Sequence, residues 1–218
     1  MFKNERHDFQ NELRARGIRH LVHFTTEQNL PIILESGSIL SRLKLTEITH
    51  PDDAIQDAIV TNDTIRLDGK TDFVNLSIEH PNIPLLNAYK RRNSLSYVNW
   101  CLLLLDPELI YHEETLFSVT NAASNRARQI GIDGSFASFC RLFDAKYAKT
   151  ASVSVSKRYT ADLQAEVLYK GEVSTRFLRE VVFESEAHRV KAVSALRLLG
   201  TPIPETRVDA DLFSIKRS

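Results

Sequence analysis

The sequence predicts an α+β fold with a mainly antiparallel, split β-sheet and peripheral helices. Short stretches with strand periodicity are interrupted by helices at irregular intervals, which does not fit the regular strand–helix alternation of a parallel sheet. No internal repeat, low-complexity tract or Pro/Gly/Ser-rich linker divides the 218 residues. We therefore expect a single domain that spans residues 1–218.

The N-terminal part predicts a helix, a strand and a second helix. Residues 3–16 are charged with scattered apolar positions, which is typical of an amphipathic helix, and residues 20–24 predict a short buried strand. The second helix begins near residues 27–28, because Pro31 has no amide proton to donate and fits only within the first turn. Gly37 suits the left-handed conformation that ends a helix.

The middle of the chain predicts one long loop and two strands. Residues 46–72 are polar and rich in aspartate, and they predict a loop with at most one helical turn. Residues 73–78 alternate as a strand does, and residues 97–105 predict a fully buried strand that ends at an Asp-Pro pair. Residues 121–142 mix small and apolar residues and favour no single element.

The C-terminal part predicts three strands and a helix. The strands cover residues 166–169, 180–183 and 207–213, and a turn at residues 170–171 follows the first of them. The helix covers residues 186–199 and is ended by a glycine and two prolines that follow it closely.

Composition narrows the classes of function. Lys+Arg and Asp+Glu both number 28, so the formal net charge is zero and any nucleic-acid site must be a local patch. The two cysteines, Cys101 and Cys140, lack the CxxC spacing and histidine partners of a zinc site, and they exclude a disulfide framework. We expect both to be reduced core thiols and expect no metal site.

No segment predicts export or membrane insertion. Residues 1–10 are polar and lack the apolar centre of a signal peptide, and the apolar run at residues 100–105 is too short to cross a bilayer. We expect a cytoplasmic protein without membrane contact.

A possible ligand site lies where the first strand runs into the second helix. Free backbone amides and the positive end of the helix dipole suit an anionic ligand there. His23 would donate a hydrogen bond to a ribose hydroxyl, and Thr25 would cap the helix or contact the ligand. On this fragment alone, a partly buried histidine beside a capping threonine is the favoured interpretation.

Arg66 lies in the polar loop before the third strand. Its planar guanidinium matches phosphate oxygens, which makes it a candidate for holding a phosphorylated ligand. A loop arginine is more often simply solvated. The position of Arg66 alone therefore favours a solvated side chain without a ligand.

Residues 141–160 combine cations with aromatic rings. Cations follow a phosphate backbone and aromatic faces stack on unpaired bases, which favours single-stranded over duplex nucleic acid. The alternative, a solvated basic loop whose aromatic rings pack inward, is equally compatible with the pattern. The basic residues are Arg141, Lys146, Lys149, Lys157 and Arg158, and the aromatic residues are Phe143, Tyr147 and Tyr159.

Glu166 opens an apolar strand. Because a buried carboxylate without partners is costly, an acid at such a position is a candidate for a working site. The alternative is the solvent-facing position of an edge strand.

Taken in order, these motifs resemble the DarT family, the DNA ADP-ribosyltransferase toxins of bacterial toxin–antitoxin and phage-defence systems. The resemblance covers roughly residues 19–213, after the N-terminal helix of residues 1–18, and its specificity comes from the order of motifs that are each short. The internal segments are most similar to the guanine-modifying branch. The matching stretches are residues 21–25, 29–34 with Gly37, 66–69, 75–78 with 81–82, 100–107, 120–124 and 164–168.

The resemblance implies an ADP-ribosyltransferase fold, a split mixed sheet with NAD in its cleft. Glu166 matches the catalytic glutamate, and Arg66 matches the arginine that orients the phosphates of NAD and supports catalysis. Residues 144–163 match the loop that receives the acceptor base. The implied cofactor-binding residues are His23, Thr25, Asn29, Leu30, Arg66, Phe73 and Ser77, and the implied nucleic-acid-binding residues are Lys146, Tyr147, Lys149, Lys157, Arg158 and Tyr159.

Two departures from the family pattern stand out. Phe73 occupies a position where the family often has tyrosine, so a hydroxyl contact at the nicotinamide wall is absent. A histidine that some members carry near the acceptor has no counterpart around Asn121.

The implied chemistry is a glycosyl transfer. The nicotinamide–ribose bond breaks through an oxocarbenium-like state, which Glu166 would stabilise while it binds the ribose 2′-hydroxyl and helps to remove the proton of the attacking base. A single strand is the sensible acceptor, because exposing a base edge in a duplex costs about a few kcal/mol. No metal is required. The family's partner, a macrodomain antitoxin that hydrolyses ADP-ribosyl bonds, is implied by the resemblance alone.

Three other functions remain open from the sequence. The first is transfer of ADP-ribose to RNA instead of DNA. It remains open because a basic-aromatic loop cannot distinguish ribose from deoxyribose without a 2′-hydroxyl contact. In the second, a degenerate transferase fold only binds nucleic acid or a partner protein, and NAD would not stabilise it thermally. Transfer to protein side chains is the third, and it leaves the basic loop without a role.

Overall fold

The structure, a computed structural model, describes residues 1–48, 69–92, 98–148 and 156–215. Strands β1 to β9 cover Leu21–Thr26, Ser38–Leu40, Phe73–Ile78, Trp100–Leu105, Thr115–Ser118, Glu166–Lys170, Glu172–Ser174, Leu178–Phe183 and Thr206–Val208. Helices α1 to α7 cover Arg6–Arg16, Asn29–Ser36, Arg42–Ile48, Ile83–Lys90, Asn125–Ile130, Phe136–Arg141 and Glu186–Leu198. Short 3₁₀ helices cover Pro107–Tyr111, Ala145–Tyr147, Thr175–Phe177 and Ala210–Phe213.

The strands form one large sheet and one small sheet. The large sheet has the order β5-β6-β3-β1-β4-β8-β9, and β2 pairs with β7 in the small one. Neighbouring strands are antiparallel except for β8 and β9, which are parallel. The prediction of a mixed, mainly antiparallel sheet is therefore confirmed.

The large sheet splits between β1 and β3. β1 pairs along its whole length with β4, but it pairs with β3 only at Leu21–Ile78 and Val22–Ser77. The rest of β3, from Phe73 to Leu76, pairs with β6 instead. Two strands that part after two residue pairs leave a gap in the sheet, and this gap confirms the predicted split.

Most predicted elements are present, and the last one needs correction. β9 ends at Val208, so the strand predicted for residues 207–213 is wrong beyond that residue. Asp209 ends the strand because its side chain accepts the Leu212 amide and caps the 3₁₀ helix at Ala210–Phe213. The buried strand predicted for residues 97–105 begins at Trp100.

Other elements were not anticipated. Residues 121–142 contain α5 and α6, which begin after the side-chain caps Ser124 and Ser135. α3 begins before the polar stretch for which a loop was predicted, and residues 49–68 of that stretch lie outside the described residues. β5 and the small β2–β7 sheet are short, which explains why no clear periodicity marks them.

Apolar side chains pack on both faces of the large sheet. In β1, Leu21 belongs to the main cluster and Val22 to a second cluster, because successive strand residues point to opposite faces. α1 joins the main cluster through Phe9 and Leu13. Cys101 is buried and free, and burial raises the pKa of its thiol, which agrees with the predicted core thiol. Cys140 is also free and half-buried.

No helix in the described ranges is both long enough and apolar enough to cross a membrane.

Candidate active site

A cleft with a volume of about 390 Å³ opens where β1 and β3 diverge. Its walls come from both strands and from α2, β2, α3 and α4. His23 and Asn75 line it from the two diverging strands, and Asn121 and Glu166 line it from the neighbouring loop and from β6. The cleft thus brings together residues from four separate stretches of the sequence.

Glu166 is the first residue of β6 and is 3% exposed. The amide of Ala122 donates to its Oε2 at 2.9 Å, and the Asn75 Nδ2 lies 3.5 Å from its Oε1. These donors offset the cost of burying a carboxylate. Because β6 lies between β5 and β3, the alternative of a solvent-facing acid on an edge strand is wrong.

His23 bridges the gap in the sheet. Its Nδ1 lies 3.0 Å from the carbonyl oxygen of Asn75 on the opposite strand. A carbonyl only accepts, so Nδ1 carries the proton. Burial lowers the pKa of His23, which keeps the ring neutral and leaves Nε2 as an acceptor. In this tautomer, Nε2 of the neutral ring is an acceptor, so it is suited to accept a hydrogen bond from a ligand hydroxyl and not to donate one as expected from the sequence.

The other predicted cofactor residues take different positions. Thr25 and Asn29 line the cleft, and the Asn29 Nδ2 donates to the Thr25 hydroxyl at 3.2 Å. Phe73 and Ser77 are buried and also line it. Leu30 is completely buried and belongs to the main core cluster, because α2 turns that side chain away from the cleft. A contact between its side chain and NAD is therefore not available, and Arg66 lies outside the described residues.

The aromatic residues of the predicted acceptor loop pack inward. Tyr159 is 6% exposed and meets the His80 ring edge-on, with 6.3 Å between ring centroids. Tyr147 is half-buried and packs against the main core cluster. The inward-packed alternative therefore describes these rings, and a free Tyr159 face for base stacking is excluded.

The basic residues of the same loop divide into two groups. Lys146 and Lys157 are exposed, and Lys146 forms an ion pair with Asp144 at 3.1 Å. Arg158 turns toward the protein, with its Nη2 donating to the Tyr159 hydroxyl at 2.9 Å. Lys149 lies outside the described residues. Only the first group offers cations to solvent in the part of the loop that the structure describes.

Sequence reasoning missed two groups that hold the glutamate. Asn75 is a polar residue on an apolar strand, which is a signal that could have identified it. The Ala122 amide has no such signal, because any residue except proline supplies a backbone donor. Among the described residues, no group of three or more His, Cys, Asp or Glu side chains is arranged to hold a metal ion.

Comparison with known proteins gives a family match over most of the chain. A family model described as "ssDNA thymidine ADP-ribosyltransferase, DarT" matches residues 22–214. Among curated protein sequences, none matches this chain.

Solved structures of DarT proteins share the fold. Thermus sp. 2.9 DarT in complex with NAD+ superposes with a TM-score of 0.63 at 14% identity, over 90% of this chain and 98% of that chain. The same protein in complex with ADP-ribosylated ssDNA superposes with a TM-score of 0.59 at 16% identity, over 91% of this chain and 97% of that chain. Thermosipho africanus DarTG in complex with ADP-ribose gives 0.58 at 17% identity, over 89% of this chain and 51% of that chain.

The similarity confirms the predicted ADP-ribosyltransferase fold, and the family match extends from β1 to the last 3₁₀ helix. The chain belongs to the DarT family of NAD-dependent ADP-ribosyltransferases.

Proposed function

We propose that this enzyme transfers the ADP-ribose of NAD to a base of single-stranded DNA, with Glu166 as its catalytic residue. One observation carries the proposal: a carboxylate whose two oxygens each face a hydrogen-bond donor lines the same cleft as a histidine on the opposite side of the split sheet. The family description, ssDNA thymidine ADP-ribosyltransferase, supports the same activity.

The reaction exchanges one bond at the anomeric carbon of the nicotinamide ribose. The bond to nicotinamide breaks and its electron pair leaves with the ring, while a base nitrogen attacks the same carbon. Glu166 binds the ribose 2′-hydroxyl and stabilises the positive charge that develops on the ribose. It also helps to remove the proton of the attacking nitrogen. The donors from Ala122 and Asn75 hold the carboxylate in one orientation for these steps.

The cofactor is held on the side of β1 and α2. The Nε2 of His23 accepts a hydrogen bond from the adenosine ribose, with Thr25 and Asn29 beside it. Phe73 and Ser77 complete the wall of the cleft. We assign the phosphates to Arg66 on the resemblance alone.

The acceptor base is guanine or thymine in this proposal. The family description names thymidine, whereas the internal motifs are most similar to the guanine-modifying branch. The Thermus DarT complex with ADP-ribosylated ssDNA supports a single-stranded acceptor. The exposed Lys146 and Lys157 provide contacts for its phosphates.

The biological setting follows from the family. We propose that the enzyme acts as a toxin in the cytoplasm, where NAD and DNA are both present, and that a macrodomain antitoxin reverses the modification. The packing of α1 into the main core cluster supports a single transferase domain over residues 1–218, with the family-like core at residues 19–213.

The deciding experiment compares Glu166→Ala with the wild-type enzyme. DNA and RNA oligonucleotides with one candidate base each are incubated with NAD, and mass spectrometry identifies the modified base. We expect transfer to DNA by the wild type and a loss of about 1,000-fold or more in the variant, because a central charge-stabilising group is removed. Glu172→Ala, which removes an exposed acid of β7, is the control and retains activity.

The other outcomes each overturn a defined part of the proposal. Full activity of the folded Glu166→Ala variant would remove the catalytic assignment. Modification of RNA alone would replace the acceptor. If the wild type binds NAD but modifies no oligonucleotide, the proposed transfer activity would be overturned, and the protein would only bind its ligand.

A further inference from the structure

We propose that Arg16, Arg126 and Arg158 are positioning residues that fix both ends of the acceptor loop relative to Glu166. The proposal rests on the proposed function, because the acceptor role of this loop belongs to it. We call residues 142–148 and 156–161 the stem, which includes described residues at both ends of the loop and the two residues that precede it.

The stem is closed at its base. The amide of Ala161 donates to the carbonyl oxygen of Leu142 at 2.7 Å, which brings the two ends of the loop together. Beyond Ala161 the chain reaches Glu166 through a tight turn in which the Gln164 amide donates to the Asp162 carboxylate at 2.8 Å. A displacement of the stem is therefore transmitted to the catalytic strand over only a few residues.

Arg126 holds the incoming end of the stem. Its Nε donates to the Tyr147 carbonyl at 3.1 Å and its Nη2 donates to the Lys146 carbonyl at 3.0 Å. The planar guanidinium matches two successive carbonyls, which lysine cannot do with the same geometry. Arg126 lies in α5, directly after the loop whose Ala122 amide holds Glu166. The same short segment thus contacts both the stem and the catalytic carboxylate.

Arg16 contacts both ends of the stem from α1. Its Nη1 donates to the Lys157 carbonyl at 3.2 Å, and its guanidinium lies 3.9 Å from the centre of the Phe143 ring. Glu12, one helical turn earlier, accepts from the Arg16 guanidinium at 2.7 Å and orients it. α1 therefore braces the loop at the face that packs on the main core.

Arg158 ties the outgoing end of the stem to the end of the sheet at which β1 and β3 are still paired. Its Nε lies 3.6 Å from a carboxylate oxygen of Glu79, whose side chain is 1% exposed. The same carboxylate accepts the backbone amides of Arg19 and His20, just before β1. Glu79 has a φ of 60°, a left-handed conformation that a non-glycine residue adopts only when its surroundings hold it.

These contacts explain why the side chains of Arg16, Arg126 and Arg158 are only partly exposed. Transfer requires an acceptor nitrogen held in line with the ribose carbon, and a loop fixed at both ends meets that requirement with less ordering on binding. NAD cleavage alone has no such requirement. The positioning role therefore predicts a separation between the two activities.

The test uses Arg126→Ala, Arg16→Ala and Arg126→Lys in the full chain. We measure kcat/KM for transfer to a single-stranded oligonucleotide that contains guanine and thymine, the Kd for NAD, and NAD hydrolysis without oligonucleotide. We expect transfer to fall about 10-fold to 100-fold in both alanine variants, as when a reacting group is misplaced by about 1 Å. NAD affinity and hydrolysis stay within about twofold. Arg126→Lys recovers part of the transfer activity.

Arg14→Ala is the matched control, because Arg14 lies on the same helix as Arg16 and its exposed side chain donates to Asn11. Equal losses of transfer, NAD affinity and hydrolysis would overturn the proposal in favour of a general structural role, and unchanged transfer in the alanine variants would overturn it directly. Arg126→Lys applies the same test if an alanine variant does not fold. A wild-type enzyme that binds NAD but modifies no nucleic acid would instead overturn the proposed function.

Discussion

The two sides of the active site use their polar residues in opposite ways. On the proposed cofactor side, His23 and Glu166 both line the cleft. His23 is held by a carbonyl of the opposite strand, and Glu166 is held by an amide of the neighbouring loop. On the acceptor side, Arg158 and Tyr159 turn toward the protein, although their residue types suggested contact with nucleic acid. In this protein, a polar residue on an apolar strand therefore indicates the cleft more reliably than a cation or an aromatic ring in a loop does.

The physical reason is the cost of burial. A polar side chain on a buried strand needs partners, so its presence in the sequence already requires an explanation. An arginine or tyrosine in a loop has no such requirement, because its long apolar stem or ring packs inward as readily as it reaches outward. Residues that line the cleft were therefore easier to predict than the direction in which the loop side chains turn.

The largest effect that tests this comparison is expected at Asn75. Asn75→Asp replaces the donor facing Glu166 with a second carboxylate, and two such groups repel each other. We expect kcat for ADP-ribose transfer to fall about 100-fold, the typical cost of losing one donor at a reacting centre. The Kd for NAD changes little, because His23 contacts the backbone carbonyl of Asn75 rather than its side chain.

The matched control for this substitution is Asn11→Asp, which makes the same chemical change on the exposed surface of α1. Equal kcat values for Asn75→Asp and the wild type would mean that the 3.5 Å approach between Asn75 and Glu166 has no catalytic consequence. The Ala122 amide would then remain as a donor that orients the carboxylate.

A smaller effect, on binding and its pH dependence, is expected at His23. Burial lowers the pKa of His23 below its ordinary value of 6.5, so the ring keeps a neutral, accepting Nε2 at pH 6.5 and above. We expect the Kd for NAD to be constant from pH 8 to about pH 6.5 and to rise below it, because protonation converts Nε2 into a donor. His23→Asn raises the Kd about tenfold, the equivalent of one lost hydrogen bond, and removes this rise.

The lowered pKa of His23 also determines whether the folded protein gains or loses stability as the pH falls. The unfolded chain takes up the His23 proton at a higher pH than the folded protein does, so the free energy of unfolding falls as the pH drops through 6.5. Burial also lowers the pKa values of His20 and His112, so the substitution at His23 removes only part of this loss. His7→Asn, on the exposed side of α1, is the control. If the Kd for NAD of His23→Asn rises at low pH as it does in the wild type, a group other than His23 causes the pH dependence.

The sequence predicted the frame of the fold but not the details that complete the site. The buried strands at Phe73–Ile78 and Trp100–Leu105 were predictable because the alternation in the first and the unbroken apolar run in the second are local features of the sequence. The place where β1 and β3 part was not, because register depends on which strands compete for pairing. The Ala122 amide and the inward turn of Arg158 depend on tertiary contacts in the same way.

The smallest effects are expected at the two exposed lysines of the acceptor side. Lys146→Ala and Lys157→Ala each remove one solvent-facing cation, so each weakens binding of single-stranded DNA a few-fold and lowers the slope of log K against log salt by about 0.7. The loss is similar for all sequences, because a phosphate contact carries no base information. Lys191→Ala on α7 is the control, since α7 packs beside β8 and β9 at the opposite end of the sheet from β5 and β6. If both lysine variants keep the wild-type slope of log K against log salt, the DNA contacts another surface of the protein. The difference in orientation between these lysines and the loop arginines would then have no role in DNA binding.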